Sequence, residues 1–304
     1  MLLSALAGDA RARALPQGLR LTVPPFTVAL KSAAPALLDA PLAAYPDYEV
    51  SAAAFADVHV EVAAPRRRGG SVSILIDGVT RFAECAPAAL LPHLEWAINW
   101  CVATRAHQYL MLHAAVLERD GVAVILPGLP GSGKSTLAAY LSTRGWRLLS
   151  DEFGMIHRAS GDVEPFVRLV PLKDASIAAI RERCPDARVT APVATERKGM
   201  VAHFRPDDAA VRAAAVPATP ALVVLPRFQS GADFDRQPLG RARVFVECMK
   251  NSFNYNVLGV EGFAAVTRLA ERVSGYRIDY SRMEEVEAWL PGALAEHLQR
   301  FANR

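Results

Sequence analysis

The sequence predicts an α/β fold in two parts: a small α+β unit over residues 1–105 and an α/β domain with a mixed sheet over residues 106–304. Three observations lead to this prediction. Apolar residues first alternate and then follow a helical period along the first hundred residues, which indicates strands closed by a helix. A hairpin pattern at residues 109–126 leads into a glycine-rich loop and a helix. A continuous apolar run at residues 221–225 is typical of a strand buried on both faces.

The composition is that of a globular protein with its own core. Of the 304 residues, 52% are hydrophobic and 21% are charged, which excludes a disordered chain. The net charge of +3 is too small to indicate a nucleic-acid partner, and the basic run at residues 66–68 reads as a solvated loop. Four scattered cysteines indicate a reducing compartment. With neither a signal peptide nor an apolar stretch of about 18 residues, we expect a cytoplasmic protein without a membrane partner.

The first hundred residues read as short strands followed by a helix. Apolar residues alternate over residues 19–30, 58–62 and 72–76, and Asp77-Gly78 is typical of a tight hairpin turn. Over residues 87–105 they recur at helical spacing, which predicts an amphipathic helix of about five turns. We therefore expect a small antiparallel β unit closed by a helix. It contains no catalytic pattern, and a role in substrate recognition or in forming a homo-oligomer stays open.

The motif G-x-x-x-x-G-K-[ST] occupies residues 128–135, between an apolar strand and a predicted helix. This context matters because the glycines let backbone N–H groups converge on a phosphate and the helix N-terminus adds a positive dipole. The alternative is a chance match in a surface loop. We predict that a nucleoside triphosphate binds through the residues of this P-loop, which are Gly128, Gly131, Ser132, Gly133, Lys134, Ser135 and Thr136. Within it, Lys134 would bridge the β- and γ-phosphates, and the Ser135 hydroxyl would bind Mg²⁺.

A register argument places His113 at the mouth of this loop. If Asp120-Gly121 forms the centre of a hairpin, Arg119 pairs with Val122. Counting back along both strands, His113 then lies opposite Gly128. A lone histidine in an apolar strand is commonly a satisfied core residue. The register favours instead a site histidine that contacts phosphate or helps to move a proton.

Two carboxylates, Asp151 and Glu152, follow the P-loop helix after one more short strand. Because ligands of open α/β sheets lie beyond the carboxyl ends of the strands, we expect both to reach the γ-phosphate from the neighbouring strand. One carboxylate can accept the proton of an attacking hydroxyl, and the other can hold Mg²⁺ directly or through water. The alternative is a solvated acidic turn.

Four motifs follow one another along the chain: Leu112-His113, residues 128–135, Arg144-Gly145-Trp146 and residues 150–152. Their order and spacing resemble those of the catalytic domain of bacterial HPr kinase/phosphorylase. The sequence is most similar to the HPr kinase-related proteins of that family. The resemblance covers about residues 106–160 and returns more weakly at residues 246–254. It implies a P-loop kinase domain related to phosphoenolpyruvate carboxykinase.

The same resemblance implies an activity and roles for the residues. It implies that ATP and Mg²⁺ are used to phosphorylate a serine of a protein or peptide. In that scheme Asp151 is the base, Lys134 and His113 complete the catalytic set, and Glu152 is the carboxylate on the metal side together with Ser135. Glu152 departs from the aspartate of the family. The segment that accompanies the reverse, phosphorylase reaction has no counterpart, so that reaction is not implied. HPr is not implied as the substrate either.

Four further residues come from the weaker parts of the resemblance. Lys173, Lys198 and His203 become candidates for contact with phosphate or peptide, with surface lysines at element boundaries as the alternative. Asn254 ends the second region of similarity, and its role stays open.

Three functions remain open from the sequence. The first is an ATP-dependent kinase that acts on a serine hydroxyl of a protein or peptide. The second is a small-molecule phosphotransferase on the same scaffold, and the third is an ATP-binding switch or scaffold of a peptide-modification system. The carboxylate pair argues against the third, because a pure switch needs no base beside the phosphate.

The remaining chain reads as alternating strands and helices. We expect a helix at residues 175–184 with Asp174 as its N-cap, and an edge strand at residues 276–280. A final helix should break at Pro291, because proline interrupts the helical hydrogen bonds.

Overall fold

The computed structural model describes residues 1–65, 67, 69–196 and 198–302, so two of the three arginines of the predicted basic loop, Arg66 and Arg68, lie outside the described residues. The strands are β1 (Leu19–Val23), β2 (Phe26–Ser32), β3 (Glu49–Val50), β4 (Val58–Ala63), β5 (Val72–Ile76), β6 (Val79–Cys85), β7 (Tyr109–Arg119), β8 (Val122–Pro127), β9 (Arg147–Ser150), β10 (Phe153–His157), β11 (Val163–Glu164), β12 (Val170–Lys173), β13 (Val193–Thr195), β14 (Gly199–Phe204), β15 (Thr219–Phe228), β16 (Asp235–Leu239) and β17 (Ser274–Tyr280).

The α-helices are α1 (Gly8–Ala14), α2 (Asp39–Leu42), α3 (Leu90–Arg105), α4 (Lys134–Ser142), α5 (Ala175–Arg183), α6 (Asp208–Arg212), α7 (Arg241–Lys250), α8 (Tyr255–Leu258), α9 (Val260–Arg272) and α10 (Met283–Ala302). No helix formed by the residues described is long and apolar enough to cross a membrane.

The N-terminal strands form a six-stranded sheet in the order β3-β1-β2-β4-β5-β6, and α3 packs on it. The predicted strands, the Asp77-Gly78 hairpin and the helix are all present. The expectation of a purely antiparallel unit was wrong, because β2 and β4 are parallel, with Val28 paired to Val58. The long connection over residues 33–57 returns the chain to the same end of the sheet, which a hairpin cannot do.

The central sheet has eight strands in the order β11-β10-β7-β8-β15-β17-β16, with β9 paired to β7. It is mixed, as predicted: β15 is parallel to both β8 and β17, and β7 is antiparallel to β8. The prediction of an edge strand at residues 276–280 was wrong, because β16 covers β17. The β16 strand is polar and exposed, so it carries no apolar signal in the sequence.

Helices cover both faces of the central sheet. One cluster packs α4, α5 and α10 on one face, and another packs α7 and α9 on the other. The predicted break at Pro291 was wrong, since α10 continues through it. Leu290 and Leu294 on either side are buried against the sheet, and this packing outweighs the hydrogen bond that proline removes.

A third core cluster joins the N-terminal sheet to the rest of the chain. It contains residues of α3 together with Met111, Phe153 and Phe166. The two parts therefore share apolar contacts, and the boundary between residues 105 and 106 stays a prediction. The last sheet, in the order β12-β14-β13, has three strands and borders α4 and α5.

Candidate active site

The P-loop has the backbone that its glycines allow. Gly131 and Gly133 have φ angles of +87° and +91°, in the left-handed region that disfavours side chains. A Cβ atom on Gly133 would lie 2.4 Å from the Tyr280 hydroxyl oxygen. In the described chain no backbone carbonyl accepts from the N–H groups of Gly131 or Gly133. These donors are therefore free for an anion at the start of α4.

The other predicted P-loop residues lie around this turn. A Cβ atom on Gly128 would lie 2.8 Å from Oγ of Ser132, so the loop closes tightly on itself. The Ser132 hydroxyl is buried and has no hydrogen-bond partner among the described residues. Lys134 is only 6% exposed, and Ser135 and Thr136 follow it in the first turn of α4.

His113 lies opposite the P-loop, and the register prediction is confirmed. Arg119 pairs with Val122, and the Gly128 N–H donates to the carbonyl of His113 at 3.4 Å. Nε2 of His113 lies 3.3 Å from Oε2 of Glu152. The imidazole therefore faces the carboxylate pair, and its chemical role stays a prediction.

The carboxylate pair lies in a two-residue gap between two strands that form one long run. β9 and β10 both pair antiparallel with β7, where Ser150 faces Val116 and Phe153 faces His113. Asp151 and Glu152 interrupt this pairing, and Glu152 has a φ of +80°. The expectation that they follow a strand adjacent to β8 was wrong, because β7 lies between β8 and the strand that they follow, β9. A positive φ at a residue other than glycine costs free energy, and such strained positions cluster at functional sites.

The Asp151 carboxylate is buried and unsatisfied. It is 4% exposed, and neither oxygen has a hydrogen-bond partner of good geometry among the described residues. Burial, and then the charge of Glu152, raise the pKa of Asp151 to about 6, while Lys134 and the nearby Ser135 hydroxyl oppose the rise. A base with such a pKa can accept a proton near neutral pH.

Glu152 behaves in the opposite way. Burial would raise the pKa of Glu152, but the contact with His113 and the positive charges of Lys134 and Lys198 outweigh it and lower that pKa to about 2. Two adjacent carboxylates thus have pKa values that are pushed apart, which is the pattern of a base beside a permanently ionised group.

The site suits a cation that arrives with phosphate. Among the described residues no group of three or more His, Cys, Asp or Glu could hold a metal ion. Mg²⁺ commonly binds through one or two carboxylates together with substrate phosphates and water. The ionised Glu152 and the Ser135 hydroxyl fit that role, which leaves Asp151 as the base.

Of the four further candidates, the two lysines border the site and the histidine is buried. Lys198 acts electrostatically on Glu152, and Lys173 acts on Lys198, so both border the site. His203 is 1% exposed, and burial followed by the charge of Arg168 lowers its pKa to about 4, which leaves a neutral imidazole away from solvent.

Asn254 holds the β7 strand. Its Oδ1 accepts from the Met111 N–H at 3.0 Å, and its Nδ2 donates to the Tyr109 carbonyl at 2.8 Å. The amide therefore replaces a strand partner where β8 has ended, and we expect its role to be structural. Next to it, Phe253 packs edge-on against the His113 ring, with centroids 5.6 Å apart.

The sequence reasoning missed the contribution of α3. The Trp96 ring lies 4.6 Å from the Lys198 ammonium, and Glu95 forms a buried ion pair with Arg168 at 3.1 Å. A signal was present, because Glu95 falls on the apolar face of the predicted helix, where an unpaired charge would be costly.

Comparisons with known proteins add little to this geometry. No protein family and no curated protein matches the chain. Among solved structures, the HPr(Ser) kinase/phosphatase from Coxiella burnetii is 11% identical over an alignment that covers 63% of this chain and 98% of that one, with a TM-score of 0.29. So low a TM-score carries no conclusion about what this chain does.

Proposed function

We propose that this chain is an ATP-dependent kinase that transfers the γ-phosphoryl group to a hydroxyl, that of a serine in a protein or peptide. One observation carries the proposal: the buried, unpartnered carboxylate of Asp151 lies within the electrostatic reach of the P-loop lysine, Lys134, and beside Ser135. A nucleotide held by the loop would present its terminal phosphate to that carboxylate. The choice of serine rests on the resemblance in sequence.

The residues divide the reaction between them. The free N–H groups of the loop and Lys134 bind the phosphates, and Mg²⁺ bound near Ser135 and Glu152 would neutralise charge on them. Asp151 accepts the hydroxyl proton while the hydroxyl oxygen bonds to the γ-phosphorus and the bond to the bridging oxygen breaks. ADP leaves with the electron pair of that bond. His113 keeps Glu152 in place and ionised.

Burial of Asp151 argues against an ATP switch without transfer. A desolvated carboxylate costs folding free energy, and a protein that only binds and releases ATP gains nothing from keeping one beside the phosphate.

The four cysteines are free and buried, which suits a reducing compartment, and we therefore propose a cytoplasmic location.

A substrate trap tests the proposal. The Asp151→Asn protein with Mg²⁺ and ATP is used to capture partners, and the wild type then phosphorylates the captured proteins for phosphosite mapping. We expect a serine that is labelled by the wild type and not by Asp151→Asn or Lys134→Ala. Label in metabolites and in no polypeptide would favour the small-molecule phosphotransferase. ATP binding that survives Lys134→Ala unchanged would contradict the P-loop assignment.

A further inference from the structure

Two lysines outside the P-loop lie at the same end of the three-stranded sheet. Lys173 is the last residue of β12 and pairs with Val201 of β14. Lys198 lies in the turn between β13 and β14, where its N–H donates to Oγ1 of Thr195 at 3.2 Å. The sheet thus brings both residues to one end, and Lys198 is close enough to the carboxylate pair to act on Glu152.

The turn that carries Lys198 is fixed by Asp174. The Asp174 N–H donates to the Met200 carbonyl at 3.0 Å, and its Oδ1 accepts from the Met200 N–H at 3.1 Å. Gly199 has a φ of +65°, and a Cβ atom there would lie 2.7 Å from Oδ1 of Asp174. Asp174 is the N-cap residue of α5, as predicted, but its side chain makes no capping bond to the helix, because its carboxylate is engaged with this turn.

Neither lysine ammonium forms an ion pair with a carboxylate of the described residues, and Glu152 acts on Lys198 without a direct contact. The Lys198 ammonium lies over the Trp96 ring at 4.6 Å. Lys198 is exposed as a residue, but burial of its ammonium group lowers its pKa. The positive charges of Lys173 and Lys134 lower that pKa further, and the negative charge of Glu152 opposes the decrease. An anion between the two lysines would relieve this repulsion.

The pair lies on the outer side of the site. Lys134 acts on Asp151, Glu152 and Lys198, whereas Lys198 acts on Glu152 and not on Asp151. The nucleotide phosphates already have the loop amides and Lys134, which leaves Lys173 and Lys198 for an anion of the acceptor.

We propose that Lys173 and Lys198, with the Trp96 ring as one wall, bind an anionic group of the phosphoryl acceptor, a carboxylate or a phosphate close to its reacting hydroxyl. That the anion belongs to the phosphoryl acceptor rests on the proposed function, whereas the anion site itself rests on its own geometry. It also gives the N-terminal unit a part in substrate recognition, since Trp96 belongs to α3.

A titration followed by tryptophan fluorescence tests the site. Inorganic phosphate and N-acetylglutamate are added separately to the full chain whose P-loop is filled with Mg·ADP. We expect a saturable change that disappears in Trp96→Phe and weakens by about tenfold or more in Lys173→Met and in Lys198→Met, the loss of one charge-assisted hydrogen bond. The tighter probe tells phosphate from carboxylate. Lys31→Met is the matched control, because Lys31 is exposed and pairs with Glu61 at 3.6 Å.

The outcomes separate this inference from the proposed function. Unchanged probe binding in both lysine variants would overturn the anion site, as would binding that depends on Lys134 alone. If ADP itself does not bind, the proposed kinase fails, and the titration without ADP still decides the anion site.

A transfer assay then tests the acceptor. Two matched peptide mixtures carry a central serine, one with glutamate and the other with glutamine at the flanking positions. We expect the wild type to label the acidic mixture about tenfold more, and the double variant Lys173→Met/Lys198→Met to lose this preference with its KM for ATP unchanged. Equal labelling of the two mixtures by the wild type, or a change in the double variant that is confined to the KM for ATP, would overturn the assignment to the acceptor. If neither mixture is labelled, competition of each against the phosphate titration makes the same comparison.

Discussion

Nε2 of His113 lies 3.3 Å from Oε2 of Glu152, and this contact joins the strand that borders the P-loop to the segment that carries both carboxylates. It helps to keep Glu152 ionised and leaves its neighbour as the carboxylate that can take up a proton. The two acidic residues thereby acquire different chemistry from their surroundings.

The pH dependence of transfer should show the raised pKa of Asp151. Because that pKa is about 6, the basic form is lost as the pH falls through 6, whereas Glu152, with a pKa of about 2, stays ionised. We expect kcat/KM to fall by about tenfold for each pH unit below 6. Initial rates between pH 4.5 and about 8 measure this, and a plateau that extends to pH 4.5 would contradict Asp151 as the base.

Replacing Asp151 by asparagine should stabilise the fold. A raised pKa means that the native state binds the proton more tightly than the unfolded chain, whose pKa is near 3.8, so stability is lost as the pH rises from 3.8 to about 6. At pH 8 we expect Asp151→Asn to raise the free energy of unfolding by about 2 kcal/mol, measured with denaturant. The control Asp39→Asn, at a side chain 58% exposed, should change it by less than about 0.5 kcal/mol. A destabilised Asp151→Asn protein would contradict this account.

The close approach at Gly133 should make it intolerant of a side chain. Gly133→Ala adds a Cβ atom that meets the Tyr280 hydroxyl and requires a left-handed φ, so we expect a loss of about 2 kcal/mol in stability and weaker nucleotide binding. Adding Tyr280→Phe should recover part of the loss, because it removes the nearest atom. The control Gly292→Ala, inside α10 with no atom near its Cβ, should stabilise by about 0.5–1 kcal/mol. Equal effects at both glycines would refute this reading of the loop.

Asn254 should matter for stability more than for chemistry. Asn254→Ala leaves the N–H of Met111 and the carbonyl of Tyr109 unpaired in a buried strand, which we expect to cost about 2–3 kcal/mol. Asn256→Ala, at an exposed position two residues on, is the control and should have little effect. Calorimetric or denaturant unfolding of both variants measures the difference. If Asn254→Ala unfolds like the wild type while its transfer rate collapses, a catalytic role replaces the structural one.

Much of the site follows from patterns that are local in sequence. The hairpin at Asp120-Gly121 fixes the pairing of β7 and β8, and with it the place of His113 opposite Gly128. The P-loop is equally local, because its glycines and the following helix lie in one short stretch.

The placement of the carboxylate pair between β9 and β10 could not be predicted in the same way. The sequence shows two acidic residues after a strand, but the pairing of β9 and β10 with one edge of β7 depends on contacts between distant segments. The approach of Trp96 to Lys198 depends on how two sheets pack, which leaves no periodic signal. Similarly, β16 was missed because its exposed residues are polar.

The most direct test of Asp151 as the base compares Asp151→Asn with Glu152→Gln at saturating Mg²⁺. The measurement is transfer from γ-labelled ATP to the mapped serine. We expect Asp151→Asn to bind Mg·ATP as tightly as the wild type and to lose transfer by about 10²–10⁴-fold, the range for a general base. Glu152→Gln should instead raise the Mg²⁺ concentration that half-saturates the rate. Transfer by Asp151→Asn at the wild-type rate, with the loss confined to Glu152→Gln, would contradict the assignment of Asp151 as the base.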